Sequence, residues 1–471
     1  MNRGSRDLFI WRCLNHRRAH ALVVQHINKK EKKVKTRTLK YAAFVAALAL
    51  PATPALAAAP NTQLAASVQA QSLPAAAAVA SFYNTRHNAP IWFKSGASTQ
   101  AAHELVNILR RAQLDGMASG PMLAQSAESA IARAAGGDQA AIAEAERLLS
   151  SAWVLYVQTI RKPSASLAYN EQWLKPRTPD PQLVLQEAAQ APSLAAHLQS
   201  VARVNPIYSE LREAAWREAQ LSPGAAQDAR VLANLDRARA LPPTGRYVMV
   251  DAGSARLFMV DNGQVVDSMK VIVGKPDTRT PLVASTIYYA TLNPYWHVPT
   301  DLAQRLIAPR VLKQGAGYLK SQRYEVVTSF DNGQVLSPSS VDWKAVADGR
   351  ATVKIRQLPG PTNSMGKVKF HFANREGVYL HDTPQKELFA KSQRTLSNGC
   401  IRLEDARRLS RWLLGRDPTL EGSAPEQHVK LSKGVPIYVT YLTAQPVGDR
   451  LTFGRDAYGY DSMGGAAVAA R

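Results

Sequence analysis

Two residues of the 471-residue chain have the type and surroundings for nucleophilic chemistry: Cys400 and His381. Cys400 lies in Leu396-Ser397-Asn398-Gly399-Cys400-Ile401-Arg402-Leu403, flanked by Gly, Ser and Arg rather than by aliphatics on both sides. Gly399 places no side chain beside the sulfur and lets the backbone turn sharply. A helical pattern follows, with Leu403, Ala406, Leu409 and Leu413 on one face and Gly415 and Pro418 as stop signals. This pattern predicts that Cys400 sits about one turn before a helix N-terminus, whose partial positive charge favours thiolate over thiol. Backbone N–H groups of the same turn are placed to face a developing oxyanion. His381 closes an apolar strand, Gly377-Val378-Tyr379-Leu380, where a base is held rigidly. A lone Cys is more commonly a small buried hydrophobe, and a lone His a satisfied core residue. The pair therefore needs support from the rest of the chain.

The first support is export. Residues 1–40 carry twelve Lys/Arg and two acidic residues, leaving +12 of the net charge of +22 for the remainder. A short apolar run, Tyr41 to Leu50, precedes the small-residue site Ala55-Leu56-Ala57. Residues 1–57 thus read as a secretory signal peptide, with an apolar run too short to span a bilayer. A start at Val34 would give a signal peptide of ordinary length, which leaves the translation of residues 1–33 open. Cleavage removes Cys13 and leaves Cys400 as the one thiol of the mature chain, where it cannot form an internal disulfide. The expected compartment is the periplasm.

Residues 58–80, rich in Ala, Gln and Ser, read as a flexible linker. From 81 to 243 apolar residues recur at three and four (Leu105, Ile108, Leu109; Trp153, Tyr156, Ile160), the pattern of an α-helical domain. At Arg246 the period changes. Tyr247 to Val250 and Arg256 to Val260, then Asp261-Asn262-Gly263 before Val265-Val266, predict a β-hairpin. The fold class is α+β: a helical domain, a β-rich domain over 244–445 and a tail over 446–471. Asn293 to Pro299 reads as a stiff aromatic turn containing Trp296. Residues 300–358, helical and polar without strand alternation, read as an insertion that caps a cleft. No Cys-x-x-Cys or His-Glu-x-x-His occurs, so neither a metal nor a cofactor is expected. His297 and His371 have plain structural readings, a turn and a strand position. The basic balance suggests nucleic acid, but export removes that partner, and an anionic cell wall or membrane surface is the expected neighbour.

His381, fifteen residues, then Ser397-Asn398-Gly399-Cys400-Ile401-Arg402 resembles the active-site motif of the L,D-transpeptidase (YkuD-type) catalytic domain. The residue before the Gly is often His in that family; here it is Asn398. Phe82-Tyr83 with Trp92, Leu114-Asp115-Gly116, Tyr208 with Leu211 to Ala214, and Leu232-x-Asn234-Leu235-x-Arg237 resemble the scaffold domain of its large Gram-negative members. In the larger members a peptidoglycan-binding module separates the last two pieces; here only Ala215 to Val231 does, which is too short for a domain. The resemblance implies peptidoglycan stem peptides as substrate, 3→3 cross-linking, no cofactor and sensitivity to carbapenems. It makes Cys400 the nucleophile and His381 the base, with N–H groups near Gly399 for the oxyanion. The orienting group for His381 is then a backbone carbonyl, that of Asp382, with the Asp382 side chain as the alternative. Ser397, Asn398, Tyr379, Trp296 and Arg402 become expected substrate contacts; Arg402 has a competing reading as an ion-pair partner of Glu404 or Asp405. Water or a lipoprotein amine remains open as acceptor, and so does a non-catalytic wall-binding scaffold.

Overall fold

The structure, a computed structural model, describes residues 75–462 except 223, 421 and 449. The expected signal peptide, most of the linker and the end of the tail lie outside the described residues.

Eight helices build the first part: α1 (75–85), α2 (Gln100–Arg110), α3 (Gly120–Ala134), α4 (Gln139–Ile160), α5 (Pro181–Gln190), α6 (Leu194–Arg203), α7 (Pro206–Leu221) and α8 (Ala229–Arg239). Local chemistry sets several starts. Asp138, Asp180, Asn205 and Asp228 accept N–H groups of the first turns of α4, α5, α7 and α8, and Pro opens α5 and α7. α1 corrects the flexible reading of residues 75–80. Ala75, Val79, Phe82 and Tyr83 are buried at helical spacing, a stripe that the Ala-rich composition conceals. Only a short connection with one 3₁₀ turn, Ala225–Gln227, joins α7 to α8, so no further module sits between them.

Buried aromatics fill the helical core, and their polar ends converge on two carboxylates. Glu146 accepts from the Tyr83 hydroxyl and from the backbone N–H groups of Trp92 at 2.7 Å and Phe93 at 2.8 Å. Asp115, in the expected turn, accepts from the hydroxyls of Tyr208 and Tyr156 and pairs with Arg212 at 3.3 Å. All four of these side chains are buried.

The β-rich part contains β1 (Tyr247–Asp251), β2 (Arg256–Asp261), β3 (Gln264–Gly274), β4 (Val283–Leu292), β5 (Trp296–Val298), β6 (Tyr324–Val327), β7 (Val335–Leu336), β8 (Lys354–Gln357), β9 (Val368–Phe372), β10 (Leu380–His381), β11 (Thr395–Ser397), β12 (Ile401–Leu403) and β13 (Gln427–Thr440). The order β9-β10-β12-β3-β2-β1-β13-β4 closes into a barrel, because β9 also pairs with β4. The β2–β3 hairpin turns at Asn262-Gly263, both at positive φ, as its sequence requires. Inward residues such as Leu257, Val271, Phe370, Leu380, Ile401 and Leu403 form the core.

The insertion differs from its expected form. β6, β7 and β8 join β5 in an antiparallel sheet of order β7-β6-β8-β5, packed on α9 (Ala308–Gln314), α10 (Gly317–Ser321) and α11 (Trp343–Ala347) over a core of its own. Strands of two to four residues are too short for alternation to register. Trp296 to Val298 is thus a strand of this sheet rather than a turn. The buried Asn363 amide donates to the carbonyls of Pro294 and Leu358, pinning both ends of the insertion together.

The tail is folded as far as it is described. β14 (Ala444–Val447) and β15 (Arg450–Phe453) form a hairpin against α7 and α8, and Tyr458, Tyr460 and Asp461 are buried. Its aromatics and its acid serve the interior.

Removing Asp115 would leave Arg212 and two Tyr hydroxyls buried without their acceptor. Asp115→Ala should cost about 3–5 kcal/mol in urea unfolding. A loss below about 1 kcal/mol would show that the network contributes little.

Candidate active site

Pairing of two very short strands brings the expected residues together. β10 and β12 run parallel, with Leu380 opposite Ile401 and His381 opposite Arg402. Leu380, Ile401 and Leu403 point into the barrel and are fully buried. Alternation therefore puts Tyr379, His381, Cys400 and Arg402 on the outer face. β9 extends the row: Lys369 lies opposite His381, and the His371 ring meets the Tyr379 ring edge-on at 4.8 Å. His371 in turn stacks on Tyr289 of β4 at 4.8 Å.

The turn before β12 is closed by its own serine. The Ser397 hydroxyl donates to the Cys400 carbonyl at 2.6 Å and accepts the Gly399 N–H at 3.2 Å. Ser397, expected to touch substrate, is buried and acts inside the turn. The Gly399 N–H, expected for the oxyanion, is also engaged there; the Cys400 N–H has no hydrogen-bond partner among the described residues. Gly399 has φ +116°, a region that L side chains avoid. Asn398 is half-buried and accepts from the Lys275 ammonium at 3.4 Å.

The predicted helix exists, but not where the dipole argument needs it. α12 (Ala406–Leu414) starts beyond β12, and Asp405 caps it by accepting the Arg408 N–H. A strand separates the sulfur from the helix end, so the dipole is spent elsewhere. Burial therefore dominates and pushes the Cys400 thiol up, opposed by the Tyr379 backbone N–H and the Arg402 charge. His381 is pushed down to about 3, first by burial and then by Arg402, against the Asp382 carbonyl, which raises it. At neutral pH the pair rests as thiol and neutral imidazole.

His381 Nδ1 lies 2.6 Å from the Asp382 carbonyl oxygen. A carbonyl only accepts, so Nδ1 carries the proton and Nε2 keeps its lone pair. The Asp382 carboxylate is occupied elsewhere, by the Lys386 ammonium at 2.8 Å and the Lys367 N–H at 2.9 Å. Of the two orienting groups left open by the sequence, the backbone one makes the contact.

Arg402 donates to the Gln385 side chain at 2.7 Å, and its buried Nε has no partner among the described residues. Glu404 faces Lys270 and Asp405 caps α12, so neither is the ion-pair partner that the sequence offered. Trp296 packs near Tyr324 inside the insertion, and its contacts do not bring it to Cys400. His371 lies on a strand, as its plain reading from the sequence had it, but on the outer face beside Tyr379, and Lys369 joins it there. Their signal was the alternation of Val368, Phe370 and Phe372 toward the core, which turns 369 and 371 to the outer face. Burial, then Lys369, pushes His371 down to about 4. Among the described residues no group of three or more His, Cys, Asp or Glu is arranged to hold a metal ion.

Residues 245–439 match the family model of the L,D-transpeptidase catalytic domain, and residues 77–214 match that of the scaffold domain. A Haemophilus influenzae protein named as a candidate L,D-transpeptidase is 25% identical over 318 residues, spanning 66% of this chain. The aligned part is 64% of that relative's own length. An L,D-transpeptidase structure from Mycobacterium smegmatis aligns at 17% identity and TM-score 0.22, covering 42% of this chain and 60% of that one. LdtMt1 in complex with imipenem aligns at 14% identity and TM-score 0.21, with the same coverages.

Because the Cys400 pKa is raised, thiolate forms only as pH climbs above the ordinary thiol value. The alkylation rate of Cys400 by iodoacetamide should rise steadily to a midpoint above about pH 8.5. A plateau already reached below about pH 6 would instead reveal a resting thiolate–imidazolium pair.

Proposed function

Starting from a chain that carries an L,D-transpeptidase catalytic domain behind a scaffold domain, we propose that it cross-links peptidoglycan stem peptides through a thioester on Cys400. The observation that carries this reading is the His381–Asp382 bond beside Cys400. It fixes an imidazole with a free Nε2 lone pair on the strand paired with the one that Cys400 leads into.

The proposed donor is a stem tetrapeptide, cut between the diamino acid at position three and the terminal D-Ala. His381 Nε2 takes the thiol proton as sulfur attacks the carbonyl. A neutral base suits this step, since imidazole must gain a proton in it. The unengaged Cys400 N–H faces the developing oxyanion. Collapse of the tetrahedral adduct passes the proton from His381 to the leaving D-Ala amine and leaves the thioester. The side-chain amine of a second stem then attacks, loses its proton to His381 and restores the thiol in a 3→3 cross-link. Arg402, without a carboxylate partner of its own, is placed to take a substrate carboxylate, and Tyr379 lines the approach. The same thioester serves water or a lipoprotein amine, so the acceptor decides between cross-linking, carboxypeptidase and lipoprotein attachment. The proposed site of action is the periplasm, where the positive balance of the chain suits an anionic wall or membrane surface.

Stem tetrapeptides incubated with the protein should yield cross-linked dimer by mass spectrometry, and Cys400→Ala should yield none while remaining folded. A carbapenem should add one adduct to the parent and none to the variant, because a thiolate opens a strained β-lactam as it opens an amide. Dimer formation by the variant at the parent rate would refute the thioester.

The insertion bears on the acceptor. Glu426 accepts from the Lys369 ammonium of the outer row at 2.9 Å and from the Tyr295 N–H, just before β5, at 3.0 Å, so the base of the insertion adjoins that row. A cap that excludes water favours transfer to an amine. β5 and β8 are paired neighbours, with Val298 opposite Ile355, so a short Gly/Ser linker can replace residues 300–353. The shortened protein should shift products from dimer towards tripeptide while still taking the carbapenem adduct. An unchanged ratio would reduce the insertion to surface decoration.

A further inference from the structure

The Arg455-Asp456-x-Tyr458 segment has no part in the chemistry above, yet hydrogen bonds tie it to the Cys400 turn. The loop 275–280 holds that turn from outside. The Gly399 carbonyl accepts from the Thr280 hydroxyl at 2.7 Å, and the same hydroxyl accepts the Gly274 N–H at 2.9 Å. The Ser397 carbonyl accepts the Lys275 N–H at 3.0 Å and the Thr278 hydroxyl at 3.2 Å. Gly274 allows this close folding, since a Cβ there would lie 2.1 Å from the Thr278 carbonyl oxygen.

One hydroxyl closes the two ends of this loop. Tyr458 donates to the Gly274 carbonyl at 2.7 Å and accepts the Thr280 N–H at 3.3 Å. Its ring is buried, stacked on Tyr441 at 5.0 Å and edge-on to Tyr460 at 5.4 Å. The Tyr441 hydroxyl donates to Asp456 and accepts the Tyr458 N–H, which fixes the height of the ring. Beyond it, Asp461 accepts from Arg237 and Asn234 of α8 and from the Thr443 hydroxyl at 2.6 Å. A continuous path therefore runs from α8 through Asp461, the tyrosine cluster and the loop to the carbonyl of the residue before Cys400.

We propose that Tyr458 is a positioning residue for the Cys400 turn, and that the C-terminal segment anchors this turn to the scaffold helix α8. The proposal rests on the reading of Cys400 as the nucleophile. Tyr458 touches neither the thiol nor its open side, so it acts only through the orientation of the turn. Small displacements suffice for this, since about 1 Å of misplacement costs roughly a hundredfold in rate.

Tyr458→Phe keeps the stack and removes both loop-closing bonds. With stem tetrapeptide, kcat should fall by roughly tenfold or more while KM stays within about twofold. The pH midpoint of Cys400 alkylation should also move, which a loss of global stability alone would not cause. Thr280→Val cuts the next link and should slow turnover alike, with Thr280→Ser restoring it. The Tyr458→Phe/Thr280→Val double variant should be little slower than the slower single one, because both act on one path. Parent-like kcat and alkylation midpoint in Tyr458→Phe, or effects of the two substitutions that multiply, would overturn the proposal. Should Tyr458→Phe fail to fold, Thr280→Val against Thr280→Ser decides it by the same readouts. Should the parent neither turn over nor take a carbapenem, the thioester reading fails; a shifted alkylation midpoint in Tyr458→Phe would still support the positioning role, and an unshifted one would end it.

Discussion

The parallel pairing of β10 and β12 is the constraint on which the site depends. These strands are two and three residues long, and little backbone hydrogen bonding holds them. What fixes their register is the burial of Leu380, Ile401 and Leu403 in the barrel core. Moving any of these from water to core is worth about 1.5–3 kcal/mol. A slip by one residue would turn them outward and point Arg402 and His381 into the apolar barrel core instead. The register that satisfies the core is thus the one that presents Cys400, His381 and Arg402 together. The barrel reinforces it from both sides, through β9 beside β10 and β3 beside β12.

Electrostatics follows from that placement. A site on a strand edge gains no helix dipole, and burial opposes charge on sulfur and imidazole alike. The outcome is a neutral pair, with the imidazole tautomer fixed by the Asp382 carbonyl. On the proposed reading, proton transfer accompanies attack rather than preceding it. This protects the thiol, since thiolate is the form that oxidation and stray electrophiles attack. The Arg402 charge acts on both groups, and it favours the thiolate while disfavouring the imidazolium.

Local signals in the sequence were legible. The Asn262-Gly263 turn and the Ser397-to-Cys400 turn announce themselves within a few residues. The change from helical to strand period near Arg246 marks where the second domain begins. What is not legible depends on neighbours far along the chain. A two-residue strand such as β10 has no period to read, and α1 hides its apolar stripe among alanines. The helix after Cys400 was correctly seen, but the intervening strand β12 changes what that helix does to the thiol. The ring row Tyr379–His371–Tyr289 spans three strands and exists only once β4, β9 and β10 are paired. The burial of Tyr458 and Asp461 likewise required α8 and the loop 275–280 to be in place.

The central claim is that the acyl group passes through sulfur. Its most direct test is the intact mass of the protein quenched in acid during turnover of a stem tetrapeptide. The account predicts a transient species heavier by the tetrapeptide less its terminal D-Ala, mapped by digestion to the peptide containing Cys400. Consumption of substrate with the protein mass unchanged at every quench time, or an adduct on another residue, would contradict it.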